Sequence, residues 1–94
     1  MDITMSMSIG RVKQIIGEVL INKINNIEVG DTIVYEEDSY GNAEEYLVVS
    51  SLEGVRLLDI YENVLLTCVY DSLDRLKIEL LEDNFVDNII KRTE

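Results

Sequence analysis

The spacing of turn residues after residue 28 is the feature that most constrains the fold. Gly, Asn, Asp and Ser recur about every ten residues between short runs of aliphatic residues and Tyr, a pattern typical of short strands joined by tight turns. The runs predict five strands, at residues 29–35, 46–49, 55–60, 64–70 and 76–80. Because tight turns join successive strands, we expect an antiparallel sheet that closes into a small barrel over residues 28–81.

The fifth run alternates strictly between apolar and charged residues from Leu76 to Leu80. Successive side chains of a strand point to opposite faces of the sheet. The run therefore predicts that Leu76, Ile78 and Leu80 share one buried face, while Lys77 and Glu79 lie in solvent.

Helical spacing flanks the predicted sheet on both sides. A helix is expected over residues 8–25, because apolar residues there form one stripe: Ile9, Val12, Ile16, Val19 and Leu20. A second, short helix is expected over residues 84–92, where Asn84 is a potential cap and Phe85 and Ile89 lie four residues apart. Lys91 and Arg92 would then lie at the negative end of that helix.

The length and these elements together predict one domain, residues 1–94. Its class is α+β and mainly β: a small five-stranded antiparallel barrel-like sheet with an N-terminal helix and a short C-terminal helix. Cys68, the single cysteine, lies in the apolar run 64–70 and is expected to be buried and inert.

The composition argues against catalysis and against metal binding. The chain has no His, which removes the commonest general base and the commonest metal ligand. Its five Gly residues are isolated from one another and form no phosphate-binding loop. We therefore expect no enzyme activity, no cofactor and no metal.

One acidic stretch has a partial likeness to a calcium-binding loop. If Glu36 is position one, Asp38 and Gly41 fall at positions three and six, as such a loop requires. Position twelve is then Leu47, where a bidentate Glu is needed. The stretch is therefore expected to be a solvated acidic loop.

Charge is concentrated in one part of the chain. The net charge is −11, and residues 28–62 hold ten acids against one base, whereas residues 1–27 carry a net charge of +1. Such a field repels nucleic acid and anionic membranes and attracts basic protein surfaces. With no signal peptide and no apolar run of membrane-spanning length in the sequence, we expect a cytoplasmic protein with no membrane partner and no direct binding of nucleic acid.

The opening Val29-Gly30-Asp31-Thr32-Ile33-Val34-Tyr35, the two tight hairpins and the short turn before the last strand resemble a small barrel of the Src-homology-3 type. The resemblance covers residues 28–81 and implies a kind of barrel that is common among short phage and mobile-element proteins. Recognition of proline-rich ligands is not implied, because the chain has no Trp and its five Tyr residues are scattered.

The acidic segment is the best functional candidate in the sequence. Spaced carboxylates on a folded domain can imitate nucleic-acid phosphates and occupy a basic groove of a host protein, which makes the chain a candidate inhibitor. The core of this surface would be Glu36, Glu37, Asp38, Glu44 and Glu45. The alternative interpretation is a charged hairpin tip that only keeps the protein soluble. Two other functions stay open, a structural subunit that forms homo-oligomers and a barrel that binds a small ligand.

Overall fold

A computed structural model describes residues 17–93 of the chain. Helix α1 covers residues 17–25 of the described part. It is followed by β1 (Thr32–Tyr35), β2 (Glu44–Ser51), β3 (Gly54–Asp59), β4 (Val64–Leu65), α2 (Leu73–Glu82) and β5 (Val86–Ile90). The described residues thus contain two helices and five strands, which confirms the predicted α+β class. The prediction of helix for residues 8–16 lies outside the described residues.

The five strands form one antiparallel sheet in the order β4-β3-β2-β1-β5. The last strand of the chain therefore pairs with the first, and β1 to β4 follow one another as hairpins. The strands at the two ends of this order, β4 and β5, are not paired with each other, so the sheet is not closed into the predicted barrel. Strand β4 is only two residues long, and the chain leaves the ladder before it turns into α2.

The segment after β4 departs from the predicted strand 64–70. The chain rejoins β3 only at an isolated bridge between Tyr70 and Val55. Where the ladder is interrupted, the guanidinium of Arg56 donates to the carbonyl of Leu66 from Nε at 3.0 Å and from an Nη at 2.6 Å. Cys68 lies in this irregular stretch and is exposed, so the prediction of a buried thiol is wrong.

Residues 76–80 form part of helix α2, and the prediction of a strand there is wrong. The Ser72 side chain caps the helix by accepting a hydrogen bond from the backbone N–H of Arg75 at 3.2 Å. Leu76 and Leu80 are buried, but Ile78 is 47% exposed. A strand and a helix both place residues four apart on one face, so only Ile78 distinguishes the two periods.

The predicted short C-terminal helix is present as α2, at Leu73–Glu82, but its predicted position, residues 84–92, is wrong because residues 86–90 form strand β5. The pairing with β1 shifts register between Val34 and Tyr35, where Asp87 has no partner. This β-bulge leaves Val86 and Ile89, three residues apart, both buried. The helix was expected from the four-residue spacing of Phe85 and Ile89, but Phe85 is exposed and only Ile89 is buried, so the two do not share a buried face.

The core joins both helices to four of the strands. Its ten buried apolar residues form one cluster: Ile24, Ile27, Ile33, Val48, Val55, Leu57, Leu76, Leu80, Val86 and Ile89. Both helices contribute side chains to this core, so each helix is packed against the sheet through the same apolar cluster.

Candidate functional site: the acidic end of the sheet

Three connections lie at the same end of the sheet. They are the loop between β1 and β2, the turn between β3 and β4, and the link from α2 to β5. Strand pairing brings them together, because Tyr35 pairs with both Glu44 and Val86, and Tyr46 pairs with Asp59. Eight acids occupy these connections and the adjacent strand ends. We refer to them as the acidic end: Glu36, Glu37, Asp38, Glu44, Glu45, Asp59, Glu62 and Asp83.

The five acids expected to form a binding surface all belong to the acidic end. Four of them share one groove of about 380 Å³, which is also lined by Tyr35, Asn42, Asp83 and Phe85: Glu36, Glu37, Asp38 and Glu44. A second depression of about 690 Å³ continues from Asp38 and Glu44 to Asp59, Tyr61 and Glu62.

The fifth acid, Glu45, lies next to Glu44 in β2, and neighbouring side chains of a strand point to opposite faces. Its carboxylate accepts a hydrogen bond from the hydroxyl of Tyr61, which lines the second depression. The expected surface therefore continues on both sides of β2.

Asp38 organises the loop between β1 and β2. Its Oδ1 accepts hydrogen bonds from the backbone N–H of Tyr40 at 2.8 Å and of Asn42 at 3.0 Å, and its Oδ2 accepts from Nδ2 of Asn42 at 3.2 Å. The bond from the Asn42 backbone, followed by that from Tyr40, lowers the pKa of Asp38. The loop is therefore held by an ionised aspartate, and both of its oxygens are engaged by the loop itself.

Two tyrosines lie beneath the carboxylates of the acidic end. The rings of Tyr35 and Tyr46 meet edge to face with their centroids 5.4 Å apart, and the hydroxyl of Tyr46 donates to Oε2 of Glu44 at 3.1 Å. Burial, with the nearby charge of Asp83, raises the pKa of Tyr35 to about 12. Burial and the hydrogen bond to Glu44 raise that of Tyr46 to about 12. Both hydroxyls therefore stay neutral at physiological pH.

Four of the six bases among residues 17–93 form ion pairs, all of them with acids outside the acidic end. Arg75 and Lys77 pair with Glu79 and Asp74 along α2. Lys91 and Arg92 pair with Glu28, and Lys91 also pairs with Asp31. Among residues 17–93, none of the ion pairs involves any of the eight acids of the acidic end. Within the part of the chain that the structure describes, that end is accordingly a locally uncompensated negative surface.

Three acids and one aromatic of this end were missed in the sequence: Asp59, Glu62, Asp83 and Phe85. Asp83 accepts a hydrogen bond from the backbone N–H of Phe85 at 2.8 Å, and the carbonyl of Phe85 accepts one from the backbone N–H of Glu36 at 2.9 Å. Asp83 directly precedes the segment predicted to be a helix, residues 84–92, and Phe85 lies within it. A strand there, paired with β1, places the link from α2 to β5 beside the acidic loop.

A separate polar cluster lies around Asp31, which has no exposed surface. Its oxygens accept from the backbone N–H of Glu28 at 2.8 Å, the backbone N–H of Arg92 at 3.0 Å and Nζ of Lys91 at 2.6 Å. Burial raises the pKa of Asp31, but the bonds from Lys91, Arg92 and Glu28 outweigh it, and the pKa is lowered overall. Lys91 and Arg92 therefore bind Asp31, just before the start of β1. The prediction that they lie at the end of a helix is wrong.

Within residues 17–93, no three side chains of the metal-ligating types are grouped so that they could hold a metal ion. In the calcium-loop alignment, position twelve is Leu47, which is paired within the sheet. Neither described helix is long and apolar enough to cross a membrane.

Comparisons with known proteins give no relative for this chain. It matches no family model, and no curated protein and no solved structure matches it significantly.

Proposed function

We propose that this protein is a non-enzymatic, cytoplasmic protein-binding module that inhibits a host protein by covering its basic, nucleic-acid-binding surface. The observation that carries the proposal is the acidic end, where eight acids from three connections lie together. None of the eight takes part in an ion pair among the described residues. A partner that supplies Lys and Arg side chains would provide the missing positive charge.

The rigidity of the acidic end supports the same function. Asp38 is fixed by three hydrogen bonds from its own loop, and the hydroxyls of Tyr46 and Tyr61 hold Glu44 and Glu45. Carboxylates that are positioned before binding lose less conformational entropy when a partner arrives. An acidic surface of this kind also speeds association with a basic partner, as phosphates do.

The relation to small barrels of the Src-homology-3 type, and an origin in a phage or mobile element, remain part of this proposal. Four of the five strands expected from that resemblance overlap β1, β2, β3 and β4 of the structure. The resemblance bears on the origin of the domain, whereas the acidic end bears on its function.

The experiment compares three immobilised proteins in a host lysate at low and at moderate salt. They are the natural chain, an acidic-end variant (Glu36→Lys, Glu37→Lys, Glu44→Lys) that leaves the loop-forming Asp38 in place, and a control variant (Glu18→Lys, Glu53→Lys, Asp71→Lys). The control changes the net charge by the same amount at three exposed acids that line neither depression. It therefore separates the local surface from the overall charge.

We expect the natural chain and the control variant to capture the same basic protein, and the acidic-end variant to lose it. Short duplex DNA should displace the captured protein, because both ligands would occupy one basic surface. The proposal fails if the acidic-end variant retains the protein as well as the control does, or if duplex DNA does not compete.

A second function, a self-associating structural subunit, is favoured by the edge of the sheet at β4. Both residues of this edge strand are apolar and exposed, Val64 by 52% and Leu65 by 38%. Exposed edge strands are templates for pairing with another chain. Sedimentation equilibrium over a wide concentration range tests this function, since a concentration-independent dimer would favour it and a monomer would rule it out.

A further inference from the structure

Phe85 is a large aromatic side chain that stays 66% exposed although its backbone is fixed. Its N–H donates to Asp83 and its carbonyl accepts from the N–H of Glu36. The backbone that carries the ring is therefore held by hydrogen bonds on both sides and is not a free loop tip. Exposed aromatic side chains on a positioned backbone are typical of the anchoring residues of binding surfaces.

The ring lies in the groove that also contains most of the carboxylates of the acidic end. Besides Phe85, this groove is lined by Tyr35 and Asn42 and by five acids: Glu36, Glu37, Asp38, Glu44 and Asp83. The groove thus combines apolar aromatic surface with hydrogen-bond acceptors of one charge. A cation with a flat apolar face matches both properties.

Arginine fits this combination better than lysine. The guanidinium group is planar, stacks on aromatic rings and donates two parallel hydrogen bonds to a carboxylate. The ammonium group of lysine is a compact, strongly hydrated charge that cannot stack in this way. Charge alone would favour both residues. Paired hydrogen bonds to a carboxylate and stacking on a ring both favour arginine, and stacking is the part that depends on Phe85.

We propose that Phe85 and the carboxylates around it form a subsite for an arginine side chain of the basic partner. This inference rests on the proposed function and adds the chemical group that the acidic end selects. Phe85 is the specificity-determining residue, and the carboxylates supply the attraction that any basic segment would feel.

The test uses isothermal titration calorimetry at low salt with two probes, an oligoarginine peptide and an oligolysine peptide of equal length. The natural chain is compared with Phe85→Ala, Phe85→Leu and Phe85→Tyr. Leu52→Ala is the matched control, because Leu52 is fully exposed in the turn between β2 and β3, at the opposite end of the sheet. Thermal unfolding of each variant checks that the fold is retained.

We expect the natural chain to bind oligoarginine about threefold to tenfold more tightly than oligolysine. Phe85→Ala and Phe85→Leu should clearly reduce the preference for oligoarginine, since both variants lack the aromatic face and keep only the paired hydrogen bonds to carboxylates. Phe85→Tyr and Leu52→Ala should keep the preference.

Two results would overturn the inference, and they are distinguishable from failure of the proposed function. If both peptides bind the natural chain equally, or if Phe85→Ala keeps the preference for arginine, the subsite does not exist while the acidic end remains a binding surface. If neither peptide binds the natural chain at low salt, the proposed function fails together with the subsite.

Discussion

The Nζ atom of Lys91 lies 2.6 Å from Oδ2 of Asp31, a carboxylate that has no exposed surface and precedes it by 60 residues. The backbone N–H of Arg92 donates to the other oxygen of Asp31 at 3.0 Å. These contacts join the end of β5 to the start of β1, the two strands that pair although they are farthest apart in the chain. Strand β5, which follows the link that carries Asp83 and Phe85, is thus fixed at its C-terminal end.

Substitution of Asp31 tests whether this junction stabilises the fold. In Asp31→Asn, an amide replaces a buried carboxylate that accepts three hydrogen bonds, so at least one of the three donors loses its acceptor. We expect the free energy of unfolding to fall by about 1–3 kcal/mol in urea titrations. The control Glu53→Gln alters an exposed acid in a turn and should change it by less than about 0.5 kcal/mol. Equal stability of the two variants would show that the junction is dispensable.

The same junction predicts a pH dependence with a defined sign. Because the pKa of Asp31 is lowered in the folded protein, its contribution to stability is complete above the unfolded-state value of about 4 and is lost as the pH falls through the folded-state pKa. The difference in unfolding free energy between the natural chain and Asp31→Asn should therefore be constant near neutral pH and shrink below about pH 4.

Protonation of the acidic end acts on both proteins alike and cancels from this comparison. A difference that stays constant into the acidic range would mean that the carboxylate of Asp31 is not held in its ionised form by Lys91 and the two backbone N–H groups.

The exposure of Ile78 predicts a contrast between two neighbouring apolar residues of α2. Leu76 has no exposed surface, whereas Ile78 is 47% exposed. Leu76→Ala should lower the free energy of unfolding by about 2–5 kcal/mol, because it leaves a cavity in the core. Ile78→Ala should cost less than about 1 kcal/mol. If both variants lower the free energy of unfolding equally in chemical denaturation, the helix is contradicted and the strand predicted from the alternating sequence is supported.

The elements that were predicted well are those whose signals are local. Strands β1, β2 and β3 lie between turn residues that neighbour them in the chain, and the helical stripe before them continues into the described part of α1. The largest errors fall at α2 and β5, and a smaller one at the predicted strand 64–70, which ends at Leu65. Strict alternation across residues 76–80 predicted a strand where the chain is helical, and the four-residue spacing of Phe85 and Ile89 predicted a helix where the chain forms β5.

The candidate site follows the same rule. Glu36 to Glu45 flank a single loop, so their proximity was visible in the sequence. Asp59, Glu62 and Asp83 join them only through the pairing of β3 with β2 and of β5 with β1. The pairing of β5 with β1 is accompanied by tertiary contacts such as that of Asp31 with Lys91, which local sequence patterns do not predict.

The most direct test of the central claim is the association rate constant with the captured basic partner, measured at several salt concentrations. The acidic-end variant (Glu36→Lys, Glu37→Lys, Glu44→Lys) is compared with the control variant (Glu18→Lys, Glu53→Lys, Asp71→Lys). We predict that the acidic-end variant associates about tenfold to a hundredfold more slowly than the control at low salt, and that the gap narrows as salt screens the charges. Equal rates for the two variants at low salt would contradict the account and leave the acidic end as a surface that only keeps the protein soluble.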